Sequence, residues 1–90
     1  MATGITHPYV TKSKNIGNGK PIIKGTRTRI ANIVAYYKLG FSPEELKREF
    51  PHLSLSQIYD ALSYYHENSN QIDKEIDDEK EEYLIHEVRQ

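Results

Sequence analysis

The sequence has 90 residues, 37% of them hydrophobic, with seven Tyr, two Phe, no Trp and no Cys, and a formal net charge of −1. That length bounds one small domain with a limited core, and the lack of cysteine excludes disulfide frameworks, thiolate zinc sites and cysteine nucleophiles. The net charge conceals a division, since residues 1–50 carry nine Lys or Arg against three acids (+6) and residues 51–90 carry three bases against ten acids (−7); the halves either offset each other for solubility or serve two partners, with an anionic one at the first half.

Residues 1–8 have no periodicity and are expected to be a frayed N-terminus. The start lacks the basic-then-apolar pattern of a secretory signal, and no apolar run approaches the roughly 18 residues of a membrane span, so a soluble, cytoplasmic protein is expected. Tyr9-Val10-Thr11 and Ile22-Ile23 are β-prone and flank the turn cluster Gly17-Asn18-Gly19, which predicts a short hairpin or ribbon. A two-stranded ribbon is marginal in water, so it must lean on the helices or pair with the same element of a second copy; a homodimer through the ribbon is the expectation.

Helix 1 is predicted over residues 29–39, with Thr28 as N-cap and Ile30, Ile33, Val34 and Tyr37 on one stripe. Gly40 stands where a left-handed residue ends a helix, which lets Phe41 touch Tyr36. Helix 2 follows with Ser42 as N-cap, Pro43 at N1 and Glu45 closing a capping box, and it ends at Phe50 before Pro51. Helix 3 repeats the start signal with Ser54, Gln57 and the staple pair Leu53 and Ile58, and buries Ile58, Ala61, Leu62 and Tyr65. Its opposite face presents Ser56, Asp60 and Ser63, flanked by Gln57, Tyr59 and Tyr64, without Lys or Arg. After Asn68-Ser69-Asn70, the segment to Gln90 carries a narrow stripe of Ile72, Ile76 and Tyr83 among many acids. It has too little apolar surface to bury a face alone, so it is expected to be a marginal helix or disordered until a partner covers it. The expected organisation is residues 1–8, a ribbon plus helix-turn-helix domain over 9–67, and an acidic partner-binding tail over 68–90.

Three short helices with Pro51-His52-Leu53 between the second and third fit a helix-turn-helix, and equally a small bundle that binds no nucleic acid. Lys20, Lys24, Arg27 and Arg29 on the ribbon and Lys47 and Arg48 on helix 2 are candidate phosphate contacts. Ser56, Gln57, Tyr59 and Ser63 are the candidate base readers, although Asp60 on that face repels a phosphate backbone. Arg27 could instead pin ribbon to helices through Glu44, Glu45 or Asp60. Catalysis and metal binding find no support: the four His are isolated, and Gly17-Asn18-Gly19-Lys20 fails as a phosphate loop, with Lys14 in place of the first Gly and Pro21 in place of Ser or Thr. No cofactor is expected.

The strings Gly19-Lys20-Pro21-Ile22-Ile23-Lys24-Gly25-Thr26-Arg27, Leu39-Gly40-Phe41-Ser42-Pro43-Glu44-Glu45, Phe50-Pro51-His52-Leu53-Ser54 and Ile58-Tyr59-Asp60-Ala61-Leu62-Ser63-Tyr64-Tyr65 resemble the domain of unknown function 433 family. Its members look like VapB-type antitoxins and are often encoded beside a PIN-like nuclease toxin. The resemblance implies a mainly α fold, a homeodomain-like or winged helix-turn-helix preceded by short strands. It also implies an antitoxin of a type II toxin-antitoxin system, with operator DNA bound by the domain and the ribonuclease toxin neutralised by the tail. The tail residues expected to meet the toxin are Ile72, Ile76, Tyr83, Leu84 and Ile85 as apolar anchors, with Lys80 or Arg89 entering its metal site. Removing everything after Tyr65 is then expected to abolish toxin binding and leave the domain folded. Gly19, Pro21, Gly25, Thr26, Gly40 and Pro51 are the expected structural positions. Asn18, where a second Gly is usual, and Thr28-Arg29, where an apolar-Pro pair is common, depart from the pattern. A protein-only adaptor is the rival reading, and a small RNA-binding module a third.

Overall fold

The computed structural model describes the backbone of residues 7–88 and the side chains of residues 7–80. Met1 to Thr6 and Arg89 lie outside the described residues, as do the side chains of Tyr83, Leu84 and Ile85. The fold is mainly α. A two-stranded antiparallel hairpin, β1 (Val10–Thr11) and β2 (Ile22–Ile23), precedes α1 (Ile30–Lys38), α2 (Pro43–Glu49), α3 (Leu55–Glu67) and α4 (Ser69–Val88). Val10 pairs with Ile23 and Thr11 with Ile22.

The hairpin turn needs three successive left-handed residues, Gly17, Asn18 and Gly19, all with positive φ. Glycine supplies that conformation without steric cost, and Asn tolerates it better than other side chains, which explains how Asn18 stands in for a glycine. The ribbon leans on the helices: Ile22 and Ile23 are buried, Ile23 joins the core, and β1 lies against α3.

Helix α1 starts one residue later than its predicted cap. Arg29, not Thr28, is the N-cap; it is extended, makes a β-bridge with Ile22, and gives no side-chain cap. Pairing with β2 holds residue 29 in the β region, and Pro21 O accepts the Ile30 amide, one of the donors that a helix start leaves without an intrahelical partner. At the other end Gly40 has φ +106, its amide donates to Tyr37 O (2.9 Å), and the Phe41 amide donates to Tyr36 O (3.2 Å). That is a Schellman motif, sealed by the edge-to-face Tyr36 and Phe41 rings at 5.2 Å. Both predicted capping boxes form, Ser42 with Glu45 at α2 and Ser54 with Gln57 at α3.

The core joins Ile30, Ile33 and Val34 of α1 to Leu46 of α2, Leu53 of the turn, and Ile58 and Ala61 of α3. It does not stop at residue 67. Ile72 is 0% exposed and Ile76 is buried, so the first half of the expected tail is a structural part of the domain. The two isoleucines are one turn apart and fill the space beside α1, against which α4 packs. Polar contacts reinforce this docking. Asp73 accepts from Lys38 Nζ (2.7 Å) and Tyr65 OH (3.0 Å), and Glu79 pairs with Arg29. For Ile72 and Ile76, the surface expected from a partner is thus supplied by α1 and α3 of the same chain.

Candidate nucleic-acid interface

The α2–turn–α3 unit places a basic edge around the turn at residues 50–54. Thr28 Oγ1 is hydrogen-bonded to His52 Nε2 at 2.7 Å, which draws the loop before α1 against the turn between α2 and α3. Phe50 supports the His52 ring edge-on, with centroids 6.4 Å apart. The loop itself is braced: Gly25 adopts φ +83, Thr26 Oγ1 donates to Ile23 O (2.9 Å) and accepts from the Thr28 amide (3.0 Å). Lys24 and Arg27 therefore project, exposed, from a rigid turn. Lys47 at the end of α2 reaches the same place, its ammonium 3.4 Å from Pro51 O, and Arg48 beside it is exposed. Arg27 pairs with no carboxylate among the described residues, so the predicted alternative of an ion pair with Glu44, Glu45 or Asp60 is not formed.

Next to this edge stands the first turn of α3. Ser56 is exposed, and Tyr59 is 52% exposed one turn further on. Gln57 is committed locally instead: its Oε1 accepts from the Ser54 amide at 2.7 Å, leaving only the side-chain NH2 free to donate. The Glu45 carboxylate has the corresponding role at α2. The hydrogen bonds it and Ser42 exchange hold its pKa below the usual value for glutamate, with desolvation opposing and Arg48 assisting.

One predicted phosphate contact, Arg29, is turned away from this edge. Arg29 lays its aliphatic stem over Gly17 and turns its guanidinium to Glu79 on α4. It is a latch for α4, because a side chain from the N-cap of α1 meets the helix that packs on α1. Lys20 belongs to the same glycine turn, its amide bonded to Gly17 O. Asp60, expected to repel phosphate from the open face of α3, points instead at the N-terminal segment. It pairs with His7 Nδ1 (2.9 Å) and accepts from the Tyr9 amide (2.8 Å). His7 was expected in a frayed end; it is 11% exposed and its Nε2 also meets Glu67 (2.6 Å). Sequence reasoning missed both His52 and His7, since nothing near either residue in the chain names its partner.

Of the predicted tail anchors, Ile72 lies in the core and is unavailable to a partner, while Ile76 and Lys80 line a shallow groove with Ala35, Lys38, Leu39 and Asp77. Leu39 is 76% exposed at its rim. Among the described residues no three His, Asp or Glu side chains come together to hold a metal ion, and no helix is long and apolar enough to cross a membrane.

Comparison with known proteins places residues 10–65 within the family model "Protein of unknown function (DUF433)". A crystal structure of a DUF433 member protein from Anabaena variabilis ATCC 29413, at 2.00 Å resolution, superposes with a TM-score of 0.70 at 31% identity, covering 76% of this chain and 67% of that one. No curated protein matches the chain.

Proposed function

The chain belongs to the DUF433 family of proteins of unknown function, and from that premise we propose that it is a DNA-binding regulator of the antitoxin type. The reading has two parts. The helix-turn-helix domain grips operator DNA through Lys24, Arg27, Lys47 and Arg48, with Ser56 and Tyr59 of α3 entering a groove. The outer half of α4, acidic at Asp77, Asp78, Glu81 and Glu82, together with the groove at Leu39 and Lys80, occupies the RNA-binding surface of a PIN-like ribonuclease. The observation that carries the first part is the Thr28–His52 bond, which joins two basic segments beside the first turn of α3. The protein acts in the cytoplasm as a homodimer, with β1 offering its unpaired edge to the second copy.

Phosphate-driven binding weakens steeply with salt. Duplex DNA from upstream of the protein's own reading frame, titrated by fluorescence anisotropy at several salt concentrations, tests the DNA part. Arg27→Ala and Lys47→Ala are each expected to lower the slope of log K against log salt by about 1, and Arg29→Ala to leave it unchanged. A wild-type affinity indifferent to salt sinks this part. For the second part, a chain ending at Lys80 keeps Ile72 and Ile76 and stays folded but lacks Glu81 and Glu82; it is expected to bind a nuclease encoded beside it more weakly, and undiminished affinity overturns the assignment. A specific observation favours the adaptor reading as runner-up: Leu55 and Tyr59, one turn apart on α3, are exposed on a face without Lys or Arg, and a protein partner would cover them.

A further inference from the structure

His7 stands between two carboxylates. Its Nδ1 is 2.9 Å from Asp60 Oδ1, its Nε2 is 2.6 Å from Glu67 Oε1, and the edge-to-face Tyr64 ring lies 5.4 Å away. A neutral imidazole has one N–H and one lone pair, so it can satisfy only one of these acceptors, and the other carboxylate then faces a lone pair. Both contacts are favourable only in the imidazolium. The groups facing the ring all come from α3, namely Asp60, Tyr64 and Glu67, and neither carboxylate has another cationic partner among the described residues.

The backbone that follows is tied to the same Asp60 carboxylate. The Tyr9 amide donates to the second oxygen of Asp60, Tyr9 O accepts from the Lys24 amide (2.8 Å), and Val10 then pairs with Ile23. Residues 7–11 thus form a strap across α3, held at one end by His7 and joined to β2 at the other. We propose that His7 is a proton-operated latch on this strap. Protonated, it holds the strap down and covers the charge of Asp60 and Glu67; deprotonated, it releases the strap and leaves α3 with two uncompensated carboxylates. The proposal rests on the DNA-binding reading for its consequence, because those carboxylates lie on the helix meant to approach phosphates, but its structural half is independent of that reading.

Desolvation lowers the pKa of His7, and the hydrogen bonds and charges of Glu67 and Asp60 outweigh it, so the net displacement is upward from the usual histidine value. A raised folded-state pKa gives stability that is fully present below the unfolded pKa and is lost as pH rises through the folded one. The latch therefore opens as pH rises through a His7 pKa displaced above the ordinary histidine value.

The test uses the full chain. The His7 ring resonance and hydrogen exchange of the Lys24 amide are followed by NMR from about pH 5 to about pH 9. His7 is expected to titrate above the ordinary value of about 6.5, with Lys24 protection lost in the same transition while the Val34 and Ile58 amides stay protected. Glu67→Gln, at an exposed position that spares the fold, is expected to shift the His7 titration downward, and His7→Gln to leave Lys24 unprotected at every pH. A His7 titrating at or below the ordinary value, or Lys24 protection unmoved across its titration, overturns the latch. In parallel, duplex DNA affinity at fixed ionic strength is expected to fall several-fold through the transition in the wild type and not in His7→Gln; identical pH profiles overturn the regulatory role. No binding to DNA at any pH defeats the DNA reading alone, and the NMR result then decides the latch.

Discussion

Arg27 and Arg29 are two residues apart and do different work. Arg27 is held out from a loop braced by Thr26, whereas the Arg29 guanidinium joins the hairpin side of the domain to Glu79 of α4. Arg29→Ala is expected to destabilise the fold by about 1–2 kcal/mol, between the values for exposed and buried pairs, because Arg29 is 22% exposed and Glu79 is 37% exposed. Arg27→Ala is expected to stay within about 0.5 kcal/mol of wild type. Urea unfolding of the two variants separates these roles, and equal effects would show that Arg29 holds nothing. Gly40 makes a similar point about backbone. At φ +106, with open space around it, Gly40→Ala meets strain and no steric clash, so a loss of about 1 kcal/mol or more is expected in the same assay.

At the scale of the element, α4 matters most. Its first half is held by Ile72 and Ile76 and by Asp73, which Lys38 and Tyr65 both contact. Ile72→Ala is expected to cost about 2–5 kcal/mol by denaturant unfolding. A chain ending at Tyr65 loses both isoleucines and should give a molten or unfolded product by circular dichroism and NMR, while a chain ending at Lys80 should retain the native spectrum. The hydrogen bond from Lys38 is the main reason the Asp73 pKa lies below the usual value, with the Tyr65 hydroxyl assisting and desolvation opposing. A lowered folded-state pKa gives stability that is present above the unfolded pKa and is lost as pH falls through the folded one. α4 should therefore loosen in acid, and Asp73→Asn should remove that part of the acid dependence; solvent exposure keeps the effect small.

For the whole molecule, the division of charge between the halves is partly closed by folding. Glu79 meets Arg29 and Asp73 meets Lys38, so the acidic segment covers cations of the basic half and leaves the edge at Lys24, Arg27, Lys47 and Arg48 open. What the sequence determined by itself was local. Two capping boxes, the Gly40 stop, the left-handed Gly17–Gly19 turn and the apolar stripes of α1 and α3 all rest on residues within about two helical turns of each other. Their partners are set by chain geometry over that distance, so they can be read from spacing. Tertiary structure decided the remainder: that α4 belongs to the core, that His7 meets Asp60 from 53 residues away, that His52 ties down Thr28, and that Arg29 faces α4. Such contacts depend on how helices cross, and an arginine or histidine has the same local signature whichever element lies opposite it.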